Sequence, residues 1–356
     1  ALAMGVEQLN RKNKRDEALE VVRNLRQRRL KIYTAPTDDI DNIHQNSDGG
    51  DYNILPPETN TMTAEQVLNY AANLLSDSVP SYQLRIKDPK NIGTWHYNQL
   101  IFDLARFKQP FSGPLAQDLL EYMVYLVKKA SPLSQQHRRH QKNRLSPIPR
   151  LTIPKPNVDT INAVLKAWMA TPNNSDIARR AEAVLAKLAV WQSEGTLWGV
   201  NPDTVSYNTV INIWKNSGVT GAAQRATEIL QLIEDESTAI TPDVISYSTT
   251  IGAWAKASSR DPIAGQRAEE ILMRMYNRYK DANGNEIVAP RPSTRIFNSV
   301  FLAYANGGQS GGGKRSLELL RFMERLNSEG FIDMSGGAVE PGGLSPDTYT
   351  FNIGKF

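Results

Sequence analysis

The sequence predicts an all-α protein with the architecture of an α-solenoid, in which helical hairpins stack on one another. Three observations carry this prediction. A short segment that starts with proline recurs along the chain, and apolar residues follow its copies at helical spacing. Each predicted helix has only about 11–14 residues, a length that is marginal for an isolated helix in water. Each hairpin must therefore bury its apolar face against the next one.

The recurring segment begins with Pro and ends with Asn or Ser. Its copies occupy 156–162, 202–208, 242–248, 292–298 and 346–352, and a weaker copy lies at 95–98. In four copies a large aromatic residue follows the closing residue by six positions, and an Arg follows it by 17 to 19 positions. These residues are Trp168, Trp214, Trp254 and Tyr304, and Arg180, Arg225, Arg267 and Arg315. The near-constant span to the Arg indicates one packed unit, and the variable remainder indicates loops.

Each unit is predicted to contain two helices. Pro is favoured just before or within the first turn of a helix, and the Asp or Ser that follows it can cap the free backbone N–H groups there. In the copy that begins at Pro202, the residues Val205, Ile211 and Trp214 follow at a helical period. The second helix of that copy has the same period, carried by Ala226, Ile229, Leu230 and Ile233.

The composition excludes several classes of protein. The chain of 356 residues has no cysteine, so disulfides, cysteine nucleophiles and thiolate metal sites are excluded. Its four histidines lie in no HExxH or HxE pattern, which argues against a zinc enzyme. No stretch contains the roughly 20 apolar residues that span a bilayer. We therefore predict no catalytic residues, no metal, no cofactor and no membrane association for this chain.

Positive charge is concentrated in one part of the chain. The net charge is +4, but residues 85–150 alone carry +8. Within that stretch lies a basic segment, 137–144, which prolines flank. A local positive potential attracts polyanions, so one hypothesis is that this segment is an electrostatic clamp on such a partner. A solvated basic loop explains the same residues equally well.

The domain organisation follows from these patterns. Residues 1–60 are predicted to form an N-terminal helix and an acidic linker, and 61–90 a capping helix region. Residues 91–356 are predicted to form the repeat array, with about five hairpins and a truncated sixth. Because the chain starts at Ala1 and stops within an apparent repeat at Phe356, we expect it to be a fragment of a longer protein.

The array resembles the pentatricopeptide repeat (PPR) family. The residues that carry the resemblance are the Pro-Asp junctions and the run from Tyr207-Asn208 to Asn212, which is similar to the family's first-helix signature. The resemblance covers roughly residues 90–356. One departure is that the copies lie 40 to 54 residues apart, because long insertions separate the repeats. The resemblance implies a right-handed superhelix that binds single-stranded RNA, and a role in RNA processing, stability or translation in a mitochondrion or plastid.

PPR-like repeats contact each base with two or three side chains. Carried onto this sequence, the resemblance implies recognition pairs that join the closing residue of one copy to the residue after the next Pro. These pairs are Asn98 with Asn157, Asn162 with Asp203, Asn208 with Asp243, Ser248 with Ser293, and Asn298 with Asp347. In the family, Asn with Asp favours uracil and Asn with Asn favours cytosine, so the array is expected to prefer pyrimidine-rich RNA.

The resemblance also implies side chains that stack on the bases. They are Trp95, Val205, Ile245, Arg295 and Tyr349. Asp159 occupies the same place in another copy and departs from the pattern, because a carboxylate repels phosphates and stacks poorly.

Other interpretations of these residues and of the whole chain stay open. Asn, Ser and Asp at helix starts are common caps, and the Arg column can form ion pairs instead of binding phosphate. The recurring aromatic residues are predicted to lie in the core. The whole chain could instead be a helical scaffold for protein partners, although it lacks the 34-residue tetratricopeptide pattern. An enzyme with its catalytic domain beyond Phe356 is a third possibility.

Overall fold

A computed structural model describes residues 54–55, 59, 62–79, 92–130, 153–172, 176–235, 240–282, 289–307, 311–328, 346–347 and 350. These residues form eleven α-helices and no strand, which confirms the prediction of an all-α fold. The helices are α1 (Ala64–Ser78), α2 (Thr94–Phe107), α3 (Ser112–Ala130), α4 (Val158–Ala170), α5 (Ile177–Ser193), α6 (Thr204–Ser217), α7 (Ala222–Glu234), α8 (Val244–Ala257), α9 (Ala264–Asp281), α10 (Thr294–Gly307) and α11 (Gly312–Ser328).

The chain divides into two compact units, Ala1–Pro202 (unit 1) and Asp203–Phe356 (unit 2). Unit 1 holds α1 and the helix pairs α2/α3 and α4/α5, and unit 2 holds the pairs α6/α7, α8/α9 and α10/α11. Within each unit, the first helix of a pair contacts the first helix of the next pair and the second helix of the preceding pair. The arrangement is repeat-like. The division at Pro202 falls inside the segment predicted as one array, so a single continuous array stays a prediction.

The Pro-Asp junctions form helix N-termini. Asp203 and Asp243 are the N-caps of α6 and α8, and each carboxylate accepts the backbone N–H of the Ser three residues later at 2.8 Å. Asn157 caps α4 in the same way, accepting from the N–H of Thr160 at 2.9 Å. Each cap satisfies one of the N–H groups that have no partner within the helix, which explains why a polar residue follows Pro.

The residue before the closing Asn or Ser belongs to the core. Tyr97, Tyr207, Tyr247 and Phe297 are all buried at this position. The four recurring aromatic residues are buried as well, which confirms that Trp168, Trp214, Trp254 and Tyr304 are core residues. In the copies that begin at Pro202, Pro242 and Pro292, two aromatic residues thus supply much of the apolar surface that holds neighbouring helices together.

Three of the recurring aromatic residues, Trp168, Trp254 and Tyr304, also contact the second helix of the preceding pair. Gly113 and Gly265, near the starts of α3 and α9, lie directly against the rings of Trp168 and Tyr304. On each of these second helices, a polar side chain accepts a hydrogen bond from the aromatic residue. Trp168 Nε1 donates to Gln117 at 3.2 Å, Trp254 Nε1 donates to Thr227 at 2.8 Å, and Tyr304 Oη donates to Glu269 at 2.6 Å. Ring and polar atom together fix the register between successive pairs.

A helix forms at Ala64–Ser78, in the region where the sequence predicts a capping helix. Thr63 and Gln66 form a capping box at its start. Tyr97 Oη donates to the Ala64 carbonyl at 3.3 Å, which joins α2 to α1. The helix predicted near the N-terminus, most of the acidic linker and the basic segment 137–144 lie outside the described residues. None of the helices in the described segments combines the length and the hydropathy needed to cross a membrane.

Candidate nucleic-acid interface

Asn208 and Asp243, a predicted recognition pair, are hydrogen-bonded to each other. Asn208 Nδ2 donates to Asp243 Oδ1 at 2.9 Å, and Asn208 Oδ1 accepts from the Ser246 hydroxyl at 2.7 Å. Asn208 lies on α6, whereas Asp243 caps α8 and Ser246 lies in its first turn. The three residues form a polar link between the first helices of successive pairs.

Two further predicted pairs form the same link. Asn98 Nδ2 donates to Asn157 Oδ1 at 3.2 Å, and Asn98 Oδ1 accepts from the Thr160 hydroxyl at 2.7 Å. In unit 2, Asn298 Nδ2 donates to Asp347 at 3.2 Å, and the Thr350 hydroxyl donates to Asn298 Oδ1 at 2.6 Å. The resemblance paired these residues for base recognition, and it did not predict that they bond to each other. It did not predict the Ser or Thr that completes each link, although its constant place three residues after the cap was a signal.

In the link between Asn208 and Asp243, some polar atoms have no hydrogen-bond partner within the described residues. An Asn side chain has two N–H groups, and a carboxylate has two oxygens. Asn208 uses one N–H, and Asp243 Oδ1 accepts all the hydrogen bonds of its carboxylate within the described residues. One N–H donor and one oxygen acceptor, Asp243 Oδ2, remain side by side. Asn208 itself is only 8% exposed, so Asp243, which is half-buried, is the more accessible member.

The pair Asn98 and Asn157 differs in the polar groups that the link does not use. After the link forms, each side chain keeps one N–H group. The remaining N–H of Asn157 donates to Asp159 Oδ2 at 3.1 Å. The carboxylate that breaks the predicted stacking pattern therefore also occupies a donor of the neighbouring pair.

One of the two remaining predicted pairs lacks this link within the described residues. Ser248 and Ser293 do not bond to each other, and the Ser248 hydroxyl donates back to the Ile245 carbonyl at 3.3 Å. A hydroxymethyl side chain is shorter than the side chain of Asn, which accounts for the missing link. Asn162 and Asp203 belong to different units. Asn162 is buried on α4, and Asp203 caps α6.

The predicted stacking residues are exposed. They lie at the second position of a first helix, one turn before the closing residue. Trp95 is 63% exposed, Val205 48% and Ile245 58%, and Arg295 and Asp159 are exposed at the same position. Tyr349 lies outside the described residues. Exposed apolar side chains therefore recur at one position of the first helices, in α2, α6 and α8.

The Arg column forms ion pairs. Arg225, Arg267 and Arg315 each contact the Glu three residues later, at 2.6, 2.9 and 2.7 Å. Arg315 also binds Glu269, the same carboxylate that accepts from Tyr304, and this contact raises the pKa of Arg315 further above its usual value. These contacts favour the ion-pair interpretation of the column over phosphate binding.

Two cations that the sequence prediction did not single out share the exposed face. Lys215 follows Asn208 by seven residues and Lys256 follows Ser248 by eight, a spacing that returns to the same side of a helix. That spacing was the available signal. The described residues contain no group of three or more His, Asp or Glu placed to bind a metal ion. A scan against family models and a search of curated proteins found no match to this chain.

Proposed function

We propose that this chain binds single-stranded RNA, that its helix pairs stack as an α-solenoid, and that the first helix of each pair faces the RNA. One observation carries the proposal. In α6, the exposed side chain of Val205 lies one turn before Asn208, whose amide is joined to Asp243. An apolar surface for base stacking beside a polar pair for a base edge is the arrangement that single-base recognition requires.

The expected base preference follows from the donors and acceptors that the polar links do not use. One donor beside one acceptor, as at Asn208 and Asp243, is complementary to the hydrogen-bonding edge of uracil and also to that of adenine. The resemblance to PPR repeats favours uracil. Asn98 and Asn157 offer two donors once Asp159 releases Asn157, which matches the acceptors of cytosine. The proposed ligand is therefore a pyrimidine-rich strand, bound without catalysis.

The experiment compares short labelled oligo-U, oligo-C and oligo-A by fluorescence anisotropy at low salt, with the 356-residue chain. The informative variant is Asp243→Asn, because Asn also caps helices and the fold is retained. It should weaken oligo-U binding relative to oligo-C by about tenfold if the pair contributes roughly 1–2 kcal/mol through hydrogen bonds.

The matched control is Asp281→Asn, an exposed carboxylate in unit 2 that makes no hydrogen bond within the described residues. It removes the same charge and should leave the base preference unchanged. Equal preference in the two variants would contradict base recognition by Asp243. Absence of binding to all three oligonucleotides by the unmodified chain would show that the proposed function is wrong.

A helical scaffold for a protein partner is the second candidate. Trp198, in the connection after α5, is 72% exposed, and such a side chain is a frequent anchor in protein interfaces. Retention of a protein partner by the unmodified chain and its loss on Trp198→Ala, together with no RNA binding, would favour this function. A role in organellar RNA processing, stability or translation is proposed on the resemblance alone. Imaging of the tagged full-length protein tests the compartment.

A further inference from the structure

A cavity of about 400 Å³ lies within unit 2, among α6, α8, the turn after α8, and α10. No acidic side chain lines it. Its lining residues are Lys215, Gly252, Ala255, Lys256, Ser258, Ser259, Ser299, Leu302 and Asn306. Two lysines, three serines and one asparagine therefore border a space large enough for a small anionic group.

Gly252 places Lys215 in this cavity. A Cβ at residue 252 would lie 3.1 Å from both Cε and Nζ of Lys215, so the absent side chain leaves the space that the ammonium group occupies. Lys215 is half-buried on α6, and it has no carboxylate partner among the described residues. A partly desolvated cation without a counter-ion is costly, which makes the position informative.

Two further cations lie close to Lys215. Lys256 Nζ donates to Asn216 Oδ1 at 2.6 Å and has no acidic partner in the described segments. Burial, followed by the charges of Lys256 and Arg295, lowers the pKa of Lys215 below its usual value. The side chains of Ser259 and Asn306, on the cavity wall, make no hydrogen bond within the residues that the structure describes. The cavity thus holds uncompensated positive charge together with spare donors.

We propose that this cavity is a phosphate site, which binds a phosphodiester group of the RNA strand through Lys215 and Lys256, with Arg295 beside them. An anion there would acquire charge-assisted hydrogen bonds and remove the mutual repulsion of the cations. This inference rests on the proposed function, and it names the part of the strand that the cavity takes. Lys215 lies about 11 Å along α6 from Asn208, at about 1.5 Å per residue, so base and phosphate contacts involve separate residues.

The phosphate site predicts affinity that is independent of base identity. Replacing Lys215 and Lys256 together with Gln should lower affinity for oligo-U and oligo-C by the same factor, about tenfold at low salt. The slope of log affinity against log salt should become shallower by about 0.7 for each phosphate contact that is lost. The preference for oligo-U over oligo-C should not change.

Two comparison variants separate a site from bulk charge. Lys314→Gln removes one charge from an exposed position on α11 in the same unit, and it should change affinity by less than about twofold. Gly252→Ala keeps every charge but places a methyl group where Lys215 lies, and only the flexible end of a side chain must move. It should weaken RNA binding about threefold without loss of helix stability, because Ala favours helix more than Gly.

Titration with inorganic pyrophosphate, followed by NMR of the lysine side chains, tests the site without RNA. Binding should raise the pKa of Lys215 in the unmodified chain and should not do so in Gly252→Ala. If RNA binds and the Lys215/Lys256 double variant loses affinity only as much as a Lys314/Lys280 double variant, the phosphate site is wrong and the proposed function stands. If RNA does not bind, the proposed function is wrong, and a pyrophosphate titration that leaves Lys215 unchanged overturns the site as well.

Discussion

The same kind of polar link occurs within unit 1 and within unit 2, but the residue beside the link differs between the units. In both units an Asn on one first helix bonds the cap of the next first helix. Next to that link unit 1 presents the carboxylate of Asp159, which occupies an amide of Asn157, whereas unit 2 presents the exposed side chain of Ile245. The link therefore belongs to the scaffold, and the two units differ at the exposed second position.

The strongest test of the shared scaffold is a methyl group placed against a buried ring. A Cβ at Gly113 would lie 2.4 Å from Trp168, and one at Gly265 would lie 2.5 Å from Tyr304. Because both rings are buried and packed, Gly113→Ala and Gly265→Ala should each lower the free energy of unfolding of their own unit by about 2–3 kcal/mol. Hydrogen exchange resolved by peptide measures each unit separately.

Gly252→Ala is the matched control for that pair, since it is also a helical glycine but meets only the end of Lys215. It should leave exchange protection unchanged or raise it. A loss of protection in one unit only would break the comparison, because it would show that the aromatic–glycine contact does not hold both units together.

Unit 1 contains a half-buried carboxylate on α3 with a raised pKa, Asp118. Asp118 Oδ2 accepts the backbone N–H groups of Ile54 and Leu55 at 2.7 and 3.2 Å, which holds that segment against α3. Burial raises the pKa of Asp118 to about 6, from an ordinary value of 3.8, against the lowering effect of these hydrogen bonds.

The folded state therefore binds this proton more tightly than the unfolded state. The stabilisation that comes from protonated Asp118 is complete below about pH 4 and is lost as the pH rises through about 6, a change of at most about 3 kcal/mol. Asp118→Asn should abolish that decline in exchange protection of α3, and Asp77→Asn, at an exposed position on α1, should retain it. A decline that survives in Asp118→Asn would assign it to another group.

Local features of the fold could be predicted from the sequence. Pro followed by Asp specifies a helix start, because the Asp side chain accepts the backbone N–H of the residue three positions later. A Tyr before Asn falls on the buried face of the helix. The partners of Asn208 and Asn298 were expected from the resemblance to PPR repeats, which applies one register to every copy. The exposure of Val205 and Ile245 was expected only from the resemblance, because the apolar period of the first helix groups Val205 with the buried Ile211 and Trp214.

Contacts that do not repeat could not be predicted. Asp118 meets Ile54 across 64 residues, and no pattern in the sequence joins them. The position of Lys215 depends on the missing side chain of Gly252 on another helix. The failure of Ser248 to reach Ser293 depends on side-chain length in three dimensions, which a repeat alignment does not contain.

The polar link should contribute more where it is more buried. Asn208 is almost fully buried, whereas Asn98 is half-buried. Asn208→Ala removes two hydrogen bonds, and Ser246 keeps Asp243 as a partner, so we expect a loss of about 1 kcal/mol. Asn98→Ala should cost about half as much, as water replaces the lost partners more easily. Peptide-resolved exchange at the starts of α8 and α4 measures both, and equal losses would contradict the burial argument.

The smallest expected effect is a gain of binding by unit 1. Asp159→Val gives α4 the exposed residue that Val205 gives α6, and it frees the amide of Asn157. Because an apolar side chain adds stacking surface and the substitution removes a charge that repels phosphate, affinity for a C-rich oligonucleotide should rise about threefold. Asp159→Asn removes the charge without adding apolar surface, and it should give less than half of that gain. If the two variants bind equally, charge alone distinguishes the surfaces of the two units, and the exposed apolar residues of α6 and α8 do not act as stacking platforms.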